Sequence, residues 1–473
     1  MIGVEVAALA IVAIHVAVML RAILVEGRDP YARTAWLFLL IALPGLSVIL
    51  YLLFGEPWIS TDFRNRARRA YEDLLPYAPH PDNGAAATSN PFRTCEAASR
   101  WPVATGNTAR VAPNSDTAIA MIVADIDAAA LSVNLSTYIW LADNNGLKVV
   151  DAICRAARRG VRCRIVADAI GSRTMTRSQH WQAMHNSGAH LCASLRAPFN
   201  LGFLAGHRID LRNHRKVIVI DGSITYCGSQ NCADPAFRIK PKFAPWIDIM
   251  IRDEGPIARQ ADLIFASAWT TERGEDLRPT MALPPPAPSQ DGFAAIAVGT
   301  GPLSPRGTMT GIFVAVLAAA RKSATITTPY FAPDPPLIGA IVAAARRGVE
   351  LRIVFPHRND NRIVGAIGRA YYPVLANAGV RIFEFCGGLL HAKTIVVDGS
   401  LALVGSANMD RRSLDLNFEN NVLFESTELA QKVSEHQRHW LANAIEIDHG
   451  TLAARSLSRR FGDNVLTMIA PVF

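Results

Sequence analysis

Two segments decide the fold: His214–Gly222 (HRKVIVIDG) and His391–Gly399 (HAKTIVVDG). Each begins with His-x-Lys, continues as an apolar run rich in β-branched residues, and ends in Asp-Gly. A second apolar run then leads to Gly-Ser-x-Asn, at Gly228–Asn231 and Gly405–Asn408, seven positions after the aspartate in both cases. Two such runs joined by Asp-Gly predict a β-hairpin. The sequence therefore predicts the same hairpin twice.

The start of each hairpin brings four polar groups together. Side chains at positions i and i+2 of a strand project from the same face, and the returning strand lies beside them. The residues are His214, Lys216, Ser229 and Asn231 in the first copy and His391, Lys393, Ser406 and Asn408 in the second. Lysine and asparagine donate hydrogen bonds to the non-bridging oxygens of a phosphodiester, and a histidine can attack phosphorus. The pattern therefore indicates phosphodiester chemistry.

The two copies point to one shared centre. If they fold face to face, two histidines reach one phosphate. One histidine attacks phosphorus and forms a phosphohistidine, while the other protonates the departing alkoxide and then activates the acceptor hydroxyl. Because two lysines already neutralise the phosphate, we expect no metal ion and no cofactor.

Two carboxylates are candidates to hold the histidines by their second ring nitrogen. Taken within each copy, Glu419 follows His391 by 28 positions and Asp248 follows His214 by 34. The spacings are similar but unequal. The aspartates of the two Asp-Gly turns stand beyond the strand, and we interpret them as turn-makers and supporting anchors rather than proton carriers.

The similarity between the two copies extends beyond the hairpins. Arg158–Val161 (RRGV) recurs at Arg346–Val349 with an offset of 188, and Asn186–Gly188 recurs as Asn377–Gly379 with an offset of 191. Near-equal offsets over several elements indicate an internal duplication. Strand-like and helix-like patterns alternate in both copies, which predicts α/β lobes with helices covering the sheets.

The N-terminus is predicted to be a transmembrane helical hairpin. Val6–Leu20 is apolar except for one histidine, and Ala35–Phe54 contains 20 residues without a charge, about the length of a spanning helix. The predicted helices cover about 4–25 and 35–54. A signal peptide is the alternative for the first run, but the run has no basic segment before it. Arg64, Arg66, Arg68 and Arg69 place the following flank in the cytoplasm.

Composition limits the class of protein. Half of the 473 residues are hydrophobic and 19% are charged, which excludes a disordered chain. The net charge of +8 suits phosphate-bearing partners or a solvated basic face. Seven cysteines without a CxxC motif argue against a disulfide framework or a zinc site. The tail, Leu452–Phe473, reads either as an interfacial helix or as a packed end.

Proline-rich and polar stretches at 78–91 and 283–290 read as linkers. The predicted partition is a transmembrane segment at 1–60, a juxtamembrane linker at 61–100, a first lobe at 101–282, a proline-rich linker at 283–292 and a second lobe at 293–473.

The paired motif is identified as that of the phospholipase D superfamily, and the fuller pattern resembles the bacterial cardiolipin synthases. The segments that carry the resemblance include Tyr138–Trp140, Thr328–Phe331, Tyr371–Tyr372, Asn377–Val380, Leu390–Lys393, Gly405–Ser413, Leu416–Glu419 and, near the N-terminus, Asp29–Pro30 and Leu50–Gly55. The resemblance covers nearly the whole chain. It implies two duplicated phospholipase D-like α/β/α lobes that share one active site, preceded by the transmembrane hairpin.

The resemblance implies transfer of a phosphatidyl group from one phosphatidylglycerol to another, which gives cardiolipin and glycerol. It also implies catalytic roles for six motif residues: His214, Lys216, Asp221, His391, Lys393 and Asp398. The chain departs from the family pattern in two segments, Cys227–Cys232 and the loosely similar stretch 172–210. Both concern the identity of the acceptor and not the chemistry of the phosphatidyl-enzyme.

Other activities stay open at this point. A phospholipase D-type hydrolase, a membrane-bound nuclease and transfer to a different acceptor alcohol or lipid share the motif. A non-catalytic lipid-binding scaffold is disfavoured because both His-x-Lys copies are intact. We expect phospholipid substrates, the bacterial inner membrane with the catalytic lobes facing the cytoplasm, and no nucleic-acid partner. The sequence does not reveal which histidine attacks, the acyl-chain preference or the oligomeric state, a homo-oligomer included.

Overall fold

The computed structural model of the chain describes residues 2–26, 29–56, 59–79, 89–196, 208 and 210–469. The predicted segments 78–91, 172–210 and 452–473 therefore lie partly outside the described residues. The helices are α1 Ile2–Leu24, α2 Pro30–Ala42, α3 Leu46–Leu50, α4 Thr61–Leu74, α5 Asn90–Ser99, α6 Ser115–Ala128, α7 Asn144–Arg158, α8 Arg173–Thr176, α9 Gln179–Asn186, α10 Ile257–Arg273, α11 Arg278–Met281, α12 Thr308–Ala319, α13 Pro335–Arg346, α14 Arg362–Asn377, α15 Thr427–Ala442, α16 His449–Ala453 and α17 Leu457–Ile469.

The strands of the first copy are β1 Ala104–Val111, β2 Ser132–Thr137, β3 Arg162–Asp168, β4 His190–Ser194, β5 Arg212–Asn213, β6 Val217–Ile220, β7 Ile224–Gly228, β8 Trp246–Ile247 and β9 Met250–Glu254. Those of the second are β10 Phe293–Thr300, β11 Ser323–Thr327, β12 Phe331–Ala332, β13 Glu350–Pro356, β14 Arg381–Phe385, β15 Leu389–Leu390, β16 Thr394–Val397, β17 Leu401–Gly405, β18 Met409–Asp410, β19 Asn417–Glu425 and β20 Ala444–Glu446.

One sheet of 16 strands runs through both copies. Fifteen of the strands follow the order β4-β3-β2-β6-β7-β9-β1-β10-β19-β17-β16-β11-β13-β14-β20, and the sixteenth, β5, pairs with β19 beside this path. The order on one side of the antiparallel β1–β10 pair repeats on the other, with the same parallel and antiparallel pairings. The mixed α/β fold with two duplicated lobes is therefore as the sequence predicts.

Both predicted hairpins form, β6–β7 and β16–β17. The two central turn residues have positive φ in each case: 51° and 64° at Asp221 and Gly222, and 51° and 68° at Asp398 and Gly399. This is the type I′ pattern, whose twist matches that of the strands. Aspartate and glycine are among the residues that adopt it most readily.

Two helices fasten one lobe to the other. Helix α10 of the first copy packs on β2 and β6 and also on β10 of the second, and α15 of the second copy packs on β16 and β17 and also on β1 of the first. The apolar core is therefore continuous across the boundary between the lobes, which fixes the position of the two predicted hairpins.

The second apolar run does not form the single helix predicted at 35–54. Helix α2 ends at Ala42, and the chain reverses through Pro44 and Gly45, which has φ +84° and ψ −63°. Proline cannot donate the helical hydrogen bond, and glycine adopts such a conformation without a Cβ clash. The rings of Trp36 and Tyr51 lie 5.1 Å apart, whereas a continuous helix would separate these positions by about 22 Å. The run is a short helical hairpin.

No helix within the part of the chain that the structure describes combines the length and the apolar character needed to cross a membrane.

An ion pair closes the N-terminal hairpin. Arg21 donates to both oxygens of Glu56 at 2.8 Å, and the Tyr51 hydroxyl donates to the same carboxylate at 2.9 Å. Many apolar side chains of these helices point outward, including Val6, Leu9, Ile11, Val12, Phe38, Ile41 and Ile49. The returning end of the run is therefore tied to α1, while the outer faces remain apolar.

The tail packs on the second lobe. Asp463 of α17 pairs with Arg369 of α14 and with Arg455. The opposite side of α17 carries four exposed apolar side chains, at Leu457, Phe461, Val465 and Met468. The packed-end interpretation accounts for the inner face, and the outer face stays apolar.

Candidate active site

Two short strand pairs bring the lobes together at the predicted histidines. Strand β5, just before His214, pairs in parallel with the start of β19, and β8 pairs in parallel with β15, just before His391. The backbone N–H of His214 donates to Phe418 O at 2.9 Å, and that of His391 donates to Ile247 O at 2.7 Å. Each histidine is thus attached to the lobe that it does not belong to.

The histidine–carboxylate pairs cross between the lobes. His214 Nδ1 lies 2.8 and 3.0 Å from the two oxygens of Glu419, and His391 Nδ1 lies 2.6 Å from Asp248 Oδ1. Glu419 and Asp248 are the carboxylates that the sequence predicts beside the histidines. The spacing also indicated that each carboxylate pairs with the histidine of its own copy, and that prediction is wrong. The reason is that β5 and β8 each pair with a strand of the opposite lobe.

The serines of the Gly-Ser-x-Asn segments hold the carboxylates and not the lysines. Ser229 Oγ donates to Asp248 at 2.6 Å, and Ser406 Oγ donates to Glu419. Glu419 also accepts from Ser413 Oγ at 2.8 Å and from Asn417 Nδ2 at 3.3 Å. Each carboxylate therefore has a fixed orientation towards its histidine.

The two asparagines differ in their contacts. Asn231 Oδ1 accepts from the backbone N–H of Ile139 at 3.1 Å. Asn408 Nδ2 donates to Ser413 Oγ at 3.3 Å, and its buried Oδ1 has no hydrogen-bond partner among the described residues. Asn231 thus fixes the loop after β2, and Asn408 contacts a serine that holds Glu419.

Both lysines are buried in the centre. Lys216 Nζ donates to His214 O at 2.8 Å and lies 5.5 Å from the centre of the Tyr138 ring, and Lys393 Nζ donates to His391 O. Burial lowers the pKa of Lys216 to about 8 and that of Lys393 to about 7. An ammonium group has three donors, so an anion entering the centre would gain hydrogen bonds and restore the lysine charge.

Burial favours the neutral form of both histidines. Burial lowers the pKa of His214 to about 4, although Glu419 acts in the opposite direction, and burial also lowers the pKa of His391. Burial acts to raise the pKa of Glu419 and Asp248, but their histidine partners and hydroxyl donors hold both below the usual values. A neutral imidazole that donates from Nδ1 to a carboxylate leaves the lone pair of Nε2 available.

Aromatic rings line the two histidines. The Tyr138 ring lies 4.9 Å from the His214 ring, and the rings of Trp246 and Tyr330 lie 4.7 and 6.5 Å from that of His391, all measured between centroids. Apolar surroundings of this kind reduce access of water and strengthen the electrostatic interactions inside.

The aspartates of the two turns lie away from the histidines, contrary to the catalytic grouping that the resemblance implies. Asp398 stands five positions beyond Lys393, about 16 Å along the strand. The Asp221 carboxylate accepts three backbone N–H groups, from Ala130, Leu131 and Ser132, and Asp398 accepts from Arg321, Lys322 and Ser323 in the same way. Both aspartates anchor the hairpin turn to a neighbouring strand.

Comparisons with known proteins show the family of the chain. Residues 122–269 and 313–440 match the family described as "Cardiolipin synthase, PLD-like domain", and residues 8–56 match "Phospholipase_D-nuclease N-terminal". Cardiolipin synthase A of Escherichia fergusonii is 32% identical over 464 residues, which cover 95% of this chain and 94% of the relative. The chain belongs to the cardiolipin synthase family of the phospholipase D superfamily. Cardiolipin synthase A of Yersinia pseudotuberculosis is equally similar, with 32% identity over 465 residues and coverage of 95% and 94%.

A solved structure shares the fold of this cardiolipin synthase family member. Phosphatidylserine synthase of Haemophilus influenzae superposes with a TM-score of 0.58 at 14% identity, over 86% of this chain and 100% of that one. At this identity the likeness concerns the fold alone.

Sequence reasoning missed three polar residues in this cardiolipin synthase family site. Ser413 and Asn417 contact Glu419, and Asp168 accepts the backbone N–H of Asn213, next to His214, at 3.0 Å. Ser413 and Asn417 stand in segments that carry the family resemblance, which was the available signal. Within the described ranges, no group of three or more His, Cys, Asp or Glu side chains is arranged to hold a metal ion.

Proposed function

We propose that the chain is a cardiolipin synthase that transfers a phosphatidyl group from one phosphatidylglycerol to another through a phosphohistidine and releases glycerol. The observation that carries the proposal is the pair of buried imidazoles, each fixed by a carboxylate of the opposite lobe, with two buried lysines whose charges act on both rings. These groups match the needs of a phosphodiester exchange.

The first step forms the covalent intermediate. Nε2 of one histidine attacks phosphorus, and the bond from phosphorus to the oxygen of the headgroup glycerol breaks. The other histidine, in its protonated form, gives its proton to the departing glycerol alkoxide. The anionic phosphodiester favours that protonated form by electrostatic attraction. Lys216 and Lys393 offset the charge on the non-bridging oxygens.

The second step reverses the first with a new alcohol. The histidine that lost its proton now accepts one from the headgroup hydroxyl of a second phosphatidylglycerol. The oxygen attacks phosphorus, and the bond between nitrogen and phosphorus breaks. Glu419, Asp248, Ser229 and Ser406 position the histidines, while Asn231 and Asn408 support the surrounding loops.

We place the N-terminal helices in the lipid of the bacterial inner membrane, with the catalytic lobes on the cytoplasmic side. Two contacts support this arrangement. Arg411, near the site, lies 3.6 Å from Asp29, at the start of α2. Ile59, after the hairpin, packs with Leu211 and Leu416, which precede the strands at His214 and Glu419. The lipid-facing helices therefore attach beside the site.

The test uses the purified full-length protein in vesicles that contain labelled phosphatidylglycerol. We expect cardiolipin and glycerol from the wild type, and a loss of about 1000-fold or more in His214→Ala and in His391→Ala, since each removes a proton carrier or the nucleophile. The exposed His449 supplies the control variant His449→Ala, which should keep full activity.

Two outcomes would contradict the proposal. Phosphatidic acid as the sole product would identify a hydrolase instead of a synthase. Cardiolipin formation at the wild-type rate in either active-site variant would exclude the mechanism with two histidines.

A further inference from the structure

The duplication provides an internal comparison at one loop. Asp248 follows Asn231 by 17 positions, whereas Glu419 follows Asn408 by 11. The six additional residues account for the difference between the histidine–carboxylate spacings of 34 and 28. We call the longer connection, residues 233–245, the insertion loop. Only the first lobe has it.

The two connections differ in chemistry as well as in length. In the second lobe the corresponding stretch buries Ser413, Leu414 and Leu416. The insertion loop instead exposes Arg238, Ile239, Lys240 and Lys242, and the Ile239 side chain is 57% exposed. An aliphatic side chain at the surface, flanked by three cations within five positions, is therefore the distinguishing feature of the loop.

The loop is held over the His391 side of the site. At its base, Phe237 stacks on Trp246 at 3.7 Å between centroids, and Trp246 contacts the His391 ring. Lys240 Nζ lies 2.6 Å from Asp360 of the second lobe. The same carboxylate accepts from the hydroxyl of Tyr330, the other ring beside His391, at 2.7 Å.

A second contact joins the far part of the loop to the second lobe. The guanidinium of Arg358 lies 6.0 Å from the centre of the Phe243 ring. The loop is thus fixed at its base and on the opposite lobe, while Ile239 stays at the surface. Arg238 and Lys242 form no ion pair with any residue that the structure describes.

We propose that the insertion loop is a lipid-binding rim of the site: Ile239 enters the headgroup layer, and Arg238 and Lys242 bind the phosphates of anionic phospholipids. The inference rests on the proposed function for the position of the membrane. Aliphatic side chains between cations bind anionic bilayers through apolar burial and electrostatic attraction together. The phosphatidylglycerol that the site would use is itself such a lipid, so the loop concentrates substrate at the His391 side.

The test compares two double variants of the full-length protein. Arg238→Gln/Lys242→Gln removes two cations from the rim and spares Lys240, which contacts Asp360. Arg158→Gln/Arg346→Gln removes two exposed cations at the ends of α7 and α13. The two helix ends precede β3 and β13, and the opposite ends of these strands approach the site. The control charges therefore lie about 23 Å from the site, measured along the strands.

On vesicles we vary the mole fraction of phosphatidylglycerol in phosphatidylcholine. Each cation near an anionic surface contributes about fivefold in affinity, so the rim variant should raise the apparent KM by about 10- to 30-fold and leave kcat within about twofold. Ile239→Ser should raise KM in the same way. The control variant should behave as the wild type, and all variants should use a short-chain, water-soluble phosphatidylglycerol equally well.

A second measurement does not depend on activity. Ile239→Cys in a Cys386→Ser background carries an environment-sensitive fluorophore, because Cys386 is the exposed cysteine and the other six are buried. We expect a blue shift on phosphatidylglycerol vesicles and none on phosphatidylcholine alone. An unchanged KM in the rim variant together with no shift overturns the inference. The inference is also overturned if the wild type is a dimer and the rim variant is a monomer. The loop would then bind a second copy of the chain and not the lipid surface. A wild type that forms no cardiolipin but shows the shift refutes the proposed function alone.

Discussion

At the scale of single residues, the buried carboxylate of Glu419 acts on the charge of three neighbouring groups. Glu419 is fully buried and accepts from His214, Ser406, Ser413 and Asn417. Its negative charge acts to raise the pKa of His214, Lys216 and Lys393, against the lowering effect of burial. It therefore helps to set both the protonation of a histidine and the charge of the lysines.

The pH profile of kcat/KM reports on these groups in the free enzyme. A histidine with a pKa of about 4 must be neutral to attack, and Lys393, with a pKa of about 7, must be charged to bind phosphate. With His214 as the nucleophile, His391 must be protonated to act as the acid, and burial lowers its pKa below the usual value. We therefore expect kcat/KM to rise through about pH 4, to fall as His391 loses its proton, and to fall further above about pH 7 as Lys393 loses its charge. Glu419→Gln removes a negative charge and so lowers the pKa values of His214, Lys216 and Lys393. The limbs set by His214 and Lys393 should therefore move to lower pH, and the maximum of kcat/KM should fall by about 100-fold.

Glu425→Gln is the matched control, because Glu425 is exposed at the end of the same strand, β19. It should leave the profile unchanged. A Glu419→Gln enzyme whose two limbs stay in place would show that this carboxylate does not set the charge of the site.

At the scale of elements, local patterns predict the hairpins but not the pairing between lobes. The Asp-Gly turns and β-branched runs specify β6–β7 and β16–β17 from short-range signals. The strands β5, β8 and β15 are two residues long, too short for any periodicity. They nevertheless decide that His214 meets Glu419 and that His391 meets Asp248. Only the packing of the two lobes contains that information.

The second apolar run, Ala35–Phe54, shows a similar limit. Hydropathy measures how apolar a segment is and not the direction in which it runs, so 20 uncharged residues read as one helix. Pro44 and Gly45 reverse the chain, and the contact between Trp36 and Tyr51 stabilises the reversal.

A crosslinking experiment distinguishes the two forms of this segment. In a Cys386→Ser background, Trp36→Cys/Tyr51→Cys should react with a thiol crosslinker of about 10 Å, because the hairpin brings these positions together. A straight helix would hold them about 22 Å apart. Leu9→Cys/Leu24→Cys has the same separation of 15 positions within the continuous α1 and should not crosslink. Absence of the 36–51 product with intact folding would favour the straight helix.

At the scale of the whole molecule, the two lobes form one structural unit. The sheet continues through β1 and β10, and α10 and α15 each pack across the boundary. Each histidine also depends on a carboxylate of the other lobe. Neither half therefore contains a complete histidine–carboxylate pair.

Dividing the chain tests this dependence. Residues 1–285 and 286–473, expressed separately, should each form no cardiolipin. Expressed together, they should copurify and recover part of the activity, because the sheet pairing and both helices can re-form without the covalent link. Activity in either half alone would contradict the crossed arrangement, and copurification can be measured with a tag on one half.

The crossed pairs also bear on how the two copies could diverge. In a symmetric homodimer of single lobes, any substitution would appear at both imidazoles at once. Fusion into one polypeptide removes that constraint. The two sides now differ, with a glutamate facing one ring, an aspartate facing the other, and the six extra residues on one side only. An enzyme that must release one alcohol and admit another can then specialise each side for its own task.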